Sequence, residues 1–214
     1  MPETTDFLYP FIEGDETDAE TLLEDLARSA QAKWRQSSAL REATLAEVEA
    51  ELAAAGKAMA ERFVAGGRLF TFGNGGSATD AEAVAHLYTE PPSGRALPAR
   101  SLAEDQAVMT ALGNDVGFEL VFSRQLIAHG RKSDIAMGFS TSGNSDNLMR
   151  AFAEARKQGM LTVGIAGTDG GRMAAEGSPV ERCFVVRSDS VHRIQESQAA
   201  LNHALWAAVQ AALA

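Results

Sequence analysis

From Arg68 onward the chain alternates two patterns of apolar residues. Short runs that are apolar almost throughout, Leu69 to Phe72, Ala99 to Leu102, Ile135 to Phe139, Thr162 to Ala166 and Cys183 to Val186, read as strands buried on both faces. Between them lie longer stretches with helical periodicity, and an alternation of this kind predicts an α/β fold whose parallel sheet is covered by helices on both faces. Two helical patterns precede the first strand. One carries Leu22, Leu23, Leu26 and Ala30 behind Thr17 or Asp18 as a cap, and the other runs from about Ser38 to Ala65 through Leu45, Val48, Leu52, Met59 and Phe63. A final helix, from about Val191 to Ala212, carries Ile194, Leu201, Leu205 and Val209, and with them Gln195 and His203.

Length then bounds the domain count. With 214 residues, 45% of them apolar, the chain can bury one substantial α/β core but not two of ordinary size. The reading is a single domain over residues 18–214, including the two leading helices, behind an acidic arm at 1–17. That arm holds a bulky patch, Phe7-Leu8-Tyr9-Pro10-Phe11-Ile12, and the first 25 residues contain nine acidic side chains and no basic one. Such an end is either a solvated tail or a segment that docks on a partner. A formal charge of −10, with no long Lys or Arg run, argues against direct binding of nucleic acid. Cys183, the only cysteine, cannot form an intrachain disulfide, and its apolar neighbours suit a core thiol in a reducing cytoplasm. No apolar run approaches the roughly 20 residues that span a bilayer, so no membrane partner is expected.

Chemistry enters at the turns that follow the strands. Ser140-Thr141-Ser142-Gly143-Asn144-Ser145 joins the third strand to a helical pattern. A hydroxyl-rich turn at a helix N-terminus combines side-chain donors, free backbone N–H groups and the positive end of the helix dipole, all suited to a phosphate. Gly73-Asn74-Gly75-Gly76-Ser77 follows the first strand, with glycines that admit positive φ and close approach of a ligand. The plain alternative is that both are ordinary βα turns whose Ser and Asn cap helices. Neither has the pattern of a Rossmann or Walker loop, so no nucleotide cofactor is implied. In open parallel sheets ligands bind beyond the strand C-termini, where both turns and Gly167-Thr168-Asp169-Gly170-Gly171 fall.

Six segments occur in order from Arg68 to His203: Gly73-Asn74-Gly75-Gly76-Ser77, Gly113-Asn114-Asp115, Phe122-Ser123-Arg124, the Ser140–Ser145 turn, Asp169-Gly170-Gly171 and Arg193-Ile194-Gln195-Glu196. Together they resemble the sugar isomerase (SIS) domain and, within it, the phosphoheptose isomerase family. The resemblance implies a flavodoxin-like three-layer sandwich with a five-stranded parallel sheet, assembled as a homo-oligomer, usually a tetramer, with sites at subunit contacts. It implies a sugar phosphate held by Ser140, Thr141, Ser142 and Ser145, with Asn74, Gly75, Gly76, Ser77, Asn114 and Asp115 on the substrate. Gln195 and His203 match the family's Gln and His on the last helix, His203 being the candidate acid or base. Eight residues apart, they lie on nearly one helix face.

One helix departs from the family. After Ser77 the family has a His and a Glu four residues apart; the Glu is the base of aldose–ketose interconversion, and both can take part in a metal site. Those positions are Ala83 and Leu87 here, which neither move a proton nor bind metal. The expectation is no cofactor, with a zinc site of the family type lost. Glu82, His86 and Glu90 lie four apart on the adjacent face, and either replace the lost pair or form a solvated stripe. Asp80, His192 and Ser188-Asp189-Ser190 are weaker candidates for the same replacement, and read more readily as helix-capping or loop residues. Two functions follow: a sedoheptulose 7-phosphate (phosphoheptose) isomerase or close homologue with altered catalytic residues, or a non-catalytic phosphosugar sensor or protein-binding tetrameric scaffold, as in a replication-initiator-associating relative.

Overall fold

The computed structural model describes residues 19–214, with side chains from residue 21 onward. The arm at 1–17 and its apolar patch lie outside the described residues. The elements are α1 (Ala19–Val64), β1 (Leu69–Gly73), α2 (Gly76–Thr89), β2 (Ala99–Ser101), α3 (Gln106–Asp115), a 3-10 turn (Phe118–Leu120), α4 (Val121–His129), β3 (Ile135–Ser140), α5 (Asp146–Lys157), β4 (Leu161–Gly167), α6 (Gly171–Ala174), β5 (Arg182–Val186) and α7 (Val191–Leu213). The chain forms two compact units, Met1–Ser38 and Ala39–Ala214. Where the sequence suggested two leading helices, one helix of 46 residues forms. The segment joining the two patterns has neither Pro nor Gly, so nothing in it ends the first helix before the second begins.

All five strands are parallel, in the order β2-β1-β3-β4-β5. This is the flavodoxin order, and the expected five-stranded, three-layer sandwich is the fold observed. Successive strand residues alternate between two apolar cores. Leu69, Ile135, Met137, Phe139, Val163 and Ile165 face one side with Val48, Met59 and Phe63 of α1, Val84 and Tyr88 of α2, and Leu201, Leu205 and Val209 of α7. Phe70, Phe72, Ala136 and Ala166 face the other, against Phe122 and Leu126 of α4 and Leu148, Phe152 and Ala155 of α5. The central strands are thus apolar on both faces, which explains why they read as runs rather than as alternations.

Two features set the positions of the layers. At the N-terminal edge of the sheet the fully buried Asp134 accepts from the backbone N–H of Arg68 (2.8 Å) and of Arg131 (3.0 Å) and from the Arg68 guanidinium (2.9 Å), tying the start of β1 to that of β3. In the core, the Phe72 ring centroid lies 5.1 Å from that of Phe152 and 5.5 Å from that of Phe122. Gly138 makes room for this cluster, since a Cβ there would lie 2.6 Å from Phe152 Cζ and 2.7 Å from Phe72 Cε2. Gly138→Ala is therefore expected to lower stability by about 1–3 kcal/mol through overpacking. Urea unfolding checks this by a lower midpoint at unchanged slope.

Candidate functional site

β1 and β3 are hydrogen-bonded neighbours, in register from Leu69 opposite Ile135 to Gly73 opposite Phe139. Past their C-termini the chain goes to opposite faces, because α2 packs in one core and α5 in the other. The two connecting loops must part, leaving a crevice at the point where the strand order reverses. Across it the amides of Asn74 and Asn147 form a reciprocal pair, each donating to the other at 2.9 Å. Asn147 is buried in the first turn of α5, and its Oδ1 also accepts from the Leu148 N–H at 3.0 Å. Asn147 lies just past the turn that stands out in the sequence, and its partner lies 73 residues away, so no local pattern marks it.

The turn after β3 gathers hydroxyls. Ser140 Oγ lies 3.3 Å from Ser145 Oγ and 3.5 Å from Ser142 Oγ, and accepts from the Gly143 N–H at 3.1 Å. Ser145 occupies the N-cap of α5, yet its side chain makes no capping hydrogen bond. The hydroxyls therefore converge where the helix dipole is positive. Thr141, half-buried between Ser140 and Ser142, gives its carbonyl to the Thr168 hydroxyl at 3.2 Å.

The loop after β4 braces this turn from behind. Gly143 has φ +65°, and a Cβ there would lie 2.0 Å from the Gly170 carbonyl oxygen, so only glycine permits the approach. The Met173 N–H donates to the Gly143 carbonyl at 3.1 Å and the Arg172 N–H to Asn144 Oδ1 at 3.0 Å. Arg172 also pairs with Asp146 at 2.5 Å and holds that exposed carboxyl below its ordinary pKa.

α7 forms the other wall. Ile194 packs against Gly167 at the end of β4, and Gln195 lies over the start of α2, where a Cβ on Gly76 would meet its Nε2 at 2.3 Å. Ser77 is buried in the first turn of α2, while Gly75, at φ +56°, faces open space. Two turns beyond Gln195, His203 lines a cavity of about 140 Å³ with Asp80, Ala83, Val84, Leu87, Ala199 and Asn202. Its ring stands 4.9 Å from that of Trp206. At positions 83 and 87 the face of α2 that lines this cavity presents Ala83 and Leu87.

The proposed substitutes lie elsewhere. Glu82 and His86 are exposed and do not line the cavity, and His86 faces Glu90 at 3.9 Å. Asn114 and Asp115 close α3 as exposed residues bonded to each other at 2.8 Å, and make no hydrogen bond to the hydroxyl turn. Asp80, read from sequence as a capping residue, is the acid that does face the cavity. One of its oxygens, Oδ2, is buried without a hydrogen-bond partner, as is Oδ1 of Asn202 opposite. Burial raises the Asp80 pKa, an effect that the Gln195 side chain partly offsets. The signal was present in the sequence, since 80, 84 and 87 follow the spacing of one helix face.

The Asp80 shift has a consequence for stability. A folded-state pKa above the unfolded 3.8 means that folding favours the protonated carboxyl, a contribution full below the unfolded value and lost as pH rises through the folded one. At pH 7 the charged Asp80 therefore costs stability. Asp80→Asn is expected to raise Tm at pH 7, and the gain should shrink toward pH 3 in calorimetric melts.

Comparison with known proteins gives the same fold and the same family. The SIS domain profile matches residues 34–167, well over half of the chain. The phosphoheptose isomerase of Paramagnetospirillum magneticum is 40% identical over 163 residues, covering 74% of this chain and 82% of that protein. That of Sulfurimonas denitrificans is 46% identical over 136 residues, covering 61% and 67%. Among solved structures, the phosphoheptose isomerase of Neisseria gonorrhoeae superposes with a TM-score of 0.78 at 32% identity, covering 86% of this chain and 99% of that one. The enzyme from Francisella tularensis gives 0.79 at 28% identity, covering 86% and 98%. A parallel sheet in flavodoxin order, a hydroxyl turn at its switch point and these likenesses have one reading: the chain belongs to the SIS domain family, as a phosphoheptose isomerase-like member.

Proposed function

We propose that the crevice between β1 and β3 binds a heptose phosphate such as sedoheptulose 7-phosphate, and that aldose–ketose interconversion there is slow. The observation that carries the reading is the convergence of Ser140, Ser142 and Ser145 at the N-terminus of α5, with Ser145 unused as a cap. Phosphate oxygens bridging those hydroxyls and the first N–H groups of the helix would leave the sugar directed at Asn74, Gly75, Gly76, Ser77 and Gln195, with Asn114 and Asp115 closing over it. Gln195 and His203 put hydrogen-bonding and proton-transfer groups on the same wall.

The reaction moves a proton between adjacent carbons through an enediol, and needs both a base and donors for the developing oxyanion. The donors are present. At position 87 the base of the family is replaced by Leu87, and general-base catalysis typically contributes ~10²- to 10⁴-fold. A zinc of the family type does not fit the cavity, since Ala83 and Leu87 offer it no ligand, and among the described residues no cluster of three or more His, Cys, Asp or Glu could hold a metal. No step of the reaction is assigned to one.

The protein acts in this reading as a homotetramer in the cytoplasm. Leu23, Leu26 and Trp34 of α1 are exposed, an unusual outlay of large apolar surface on an acidic chain. No helix among the described residues is long and apolar enough to cross a membrane.

Titration calorimetry with sedoheptulose 7-phosphate tests the binding site. Ser142→Ala with Ser145→Ala is expected to weaken affinity at least tenfold, and an unchanged affinity would remove the phosphate assignment. Binding to the wild type should also raise Tm, by the equivalent of ~2.7 kcal/mol at 100 times Kd. A scaffold indifferent to sugar phosphates would show no such rise. Light scattering should give four copies of the 22.7-kDa chain, and a monomer at micromolar concentration would reject the assembly.

A further inference from the structure

We propose that Asp80 is the base of this chain, taking over, from two helix turns earlier, the task that Leu87 cannot perform. The inference rests on the phosphosugar reading above and assigns its proton chemistry to a named residue.

Three observations select Asp80. It lines the same cavity as Ala83, Leu87 and His203, so its carboxyl faces the space into which the family's base projects. Its Oδ2 is buried without a donor, and so is Oδ1 of Asn202 on the facing helix. Leaving a buried acceptor unsatisfied is costly, a burden that a ligand bearing hydroxyl donors would relieve. Finally, the alternatives are placed elsewhere: Glu82 and His86 are exposed, and neither lines the cavity. Desolvation makes Asp80 a stronger base than a solvated carboxylate, an effect that the Gln195 side chain partly offsets.

The proton balance is complete within the cavity. Starting from the ketose, the Asp80 carboxylate removes a proton from C1, and the C–H electrons form the C1=C2 double bond. The C2 carbonyl oxygen takes a proton from protonated His203 and becomes the second enediol hydroxyl. Neutral His203 then takes the proton of the C1 hydroxyl as C1=O forms, and the double-bond electrons take the proton from Asp80 at C2. Both residues return to their starting states and the product is the aldose phosphate.

Exchange of solvent deuterium into C1 of sedoheptulose 7-phosphate, read by NMR in D2O, tests this beside calorimetric titration of the same ligand. The wild type should bind and exchange slowly. Asp80→Asn should keep affinity within about threefold while exchange falls by ~10²-fold or more. Glu82→Gln should leave both unchanged. If Asp80→Asn fails to fold, the smaller Asp80→Ser is read in the same way. Exchange at the wild-type rate in a folded, binding Asp80 variant overturns the assignment and leaves the phosphosugar reading intact, as does a wild type that binds without any exchange. A wild type that does not bind overturns both.

Discussion

The constraint on which the site depends is topological. Two neighbouring parallel strands send their chains to opposite faces of the sheet, so their loops cannot pack on each other and a crevice opens between them. The protein closes the back of that crevice with one reciprocal amide pair, Asn74 to Asn147. A single hydrogen bond of this kind contributes about 0.5–1.5 kcal/mol, small against the whole fold. Its value is positional, since it fixes the glycine turn of β1 against the first turn of α5.

Around it the structure spends stability on shape. Gly143 sits at positive φ pressed on the Gly170 carbonyl, and Thr168 adopts φ +56° although it is not a glycine. Asp80 and Asn202 bury acceptors that nothing in the protein satisfies. In the cores on either side of the sheet Phe72, Phe122 and Phe152 interlock over Gly138, although Tyr88 Oη and Trp206 Nε1 are buried there without partners, and burial raises the pKa of half-buried Cys183 to about 12, with the Glu51 charge adding to the effect. Backbone strain of the kind seen at Gly143 and Thr168, in loops beyond the strand C-termini, is a common mark of binding sites.

The sequence disclosed the scaffold through the strands, because a strand buried on both faces leaves an uninterrupted apolar run that few other structures produce. All five strands lie where those runs fall. It disclosed the hydroxyl turn for a similar reason, since four hydroxyls in six residues form a local pattern. What it hid were relations between distant residues. Asn147 matters through Asn74, and Arg172 through Asp146 and Asn144, pairings that depend on tertiary approach. Asp80 looked like a cap because its position in the first turns of α2 is where acids favour the helix dipole, and only the packing of α7 across α2 shows it facing His203. The long α1 reads as two helices in sequence because its apolar spacing changes near Ser38 while the backbone continues.

The central claim is that a sugar phosphate lies across the switch point with its phosphate on the hydroxyl turn and its carbonyl end in the cavity of Asp80 and His203. A crystal structure of the protein soaked with sedoheptulose 7-phosphate tests it most directly. The expected result is a phosphate within hydrogen-bond distance of Ser140, Ser142 and Ser145, and C1 and C2 within reach of the Asp80 carboxyl. A ligand bound elsewhere, or one in the crevice with its phosphate pointing toward α7, would contradict the account.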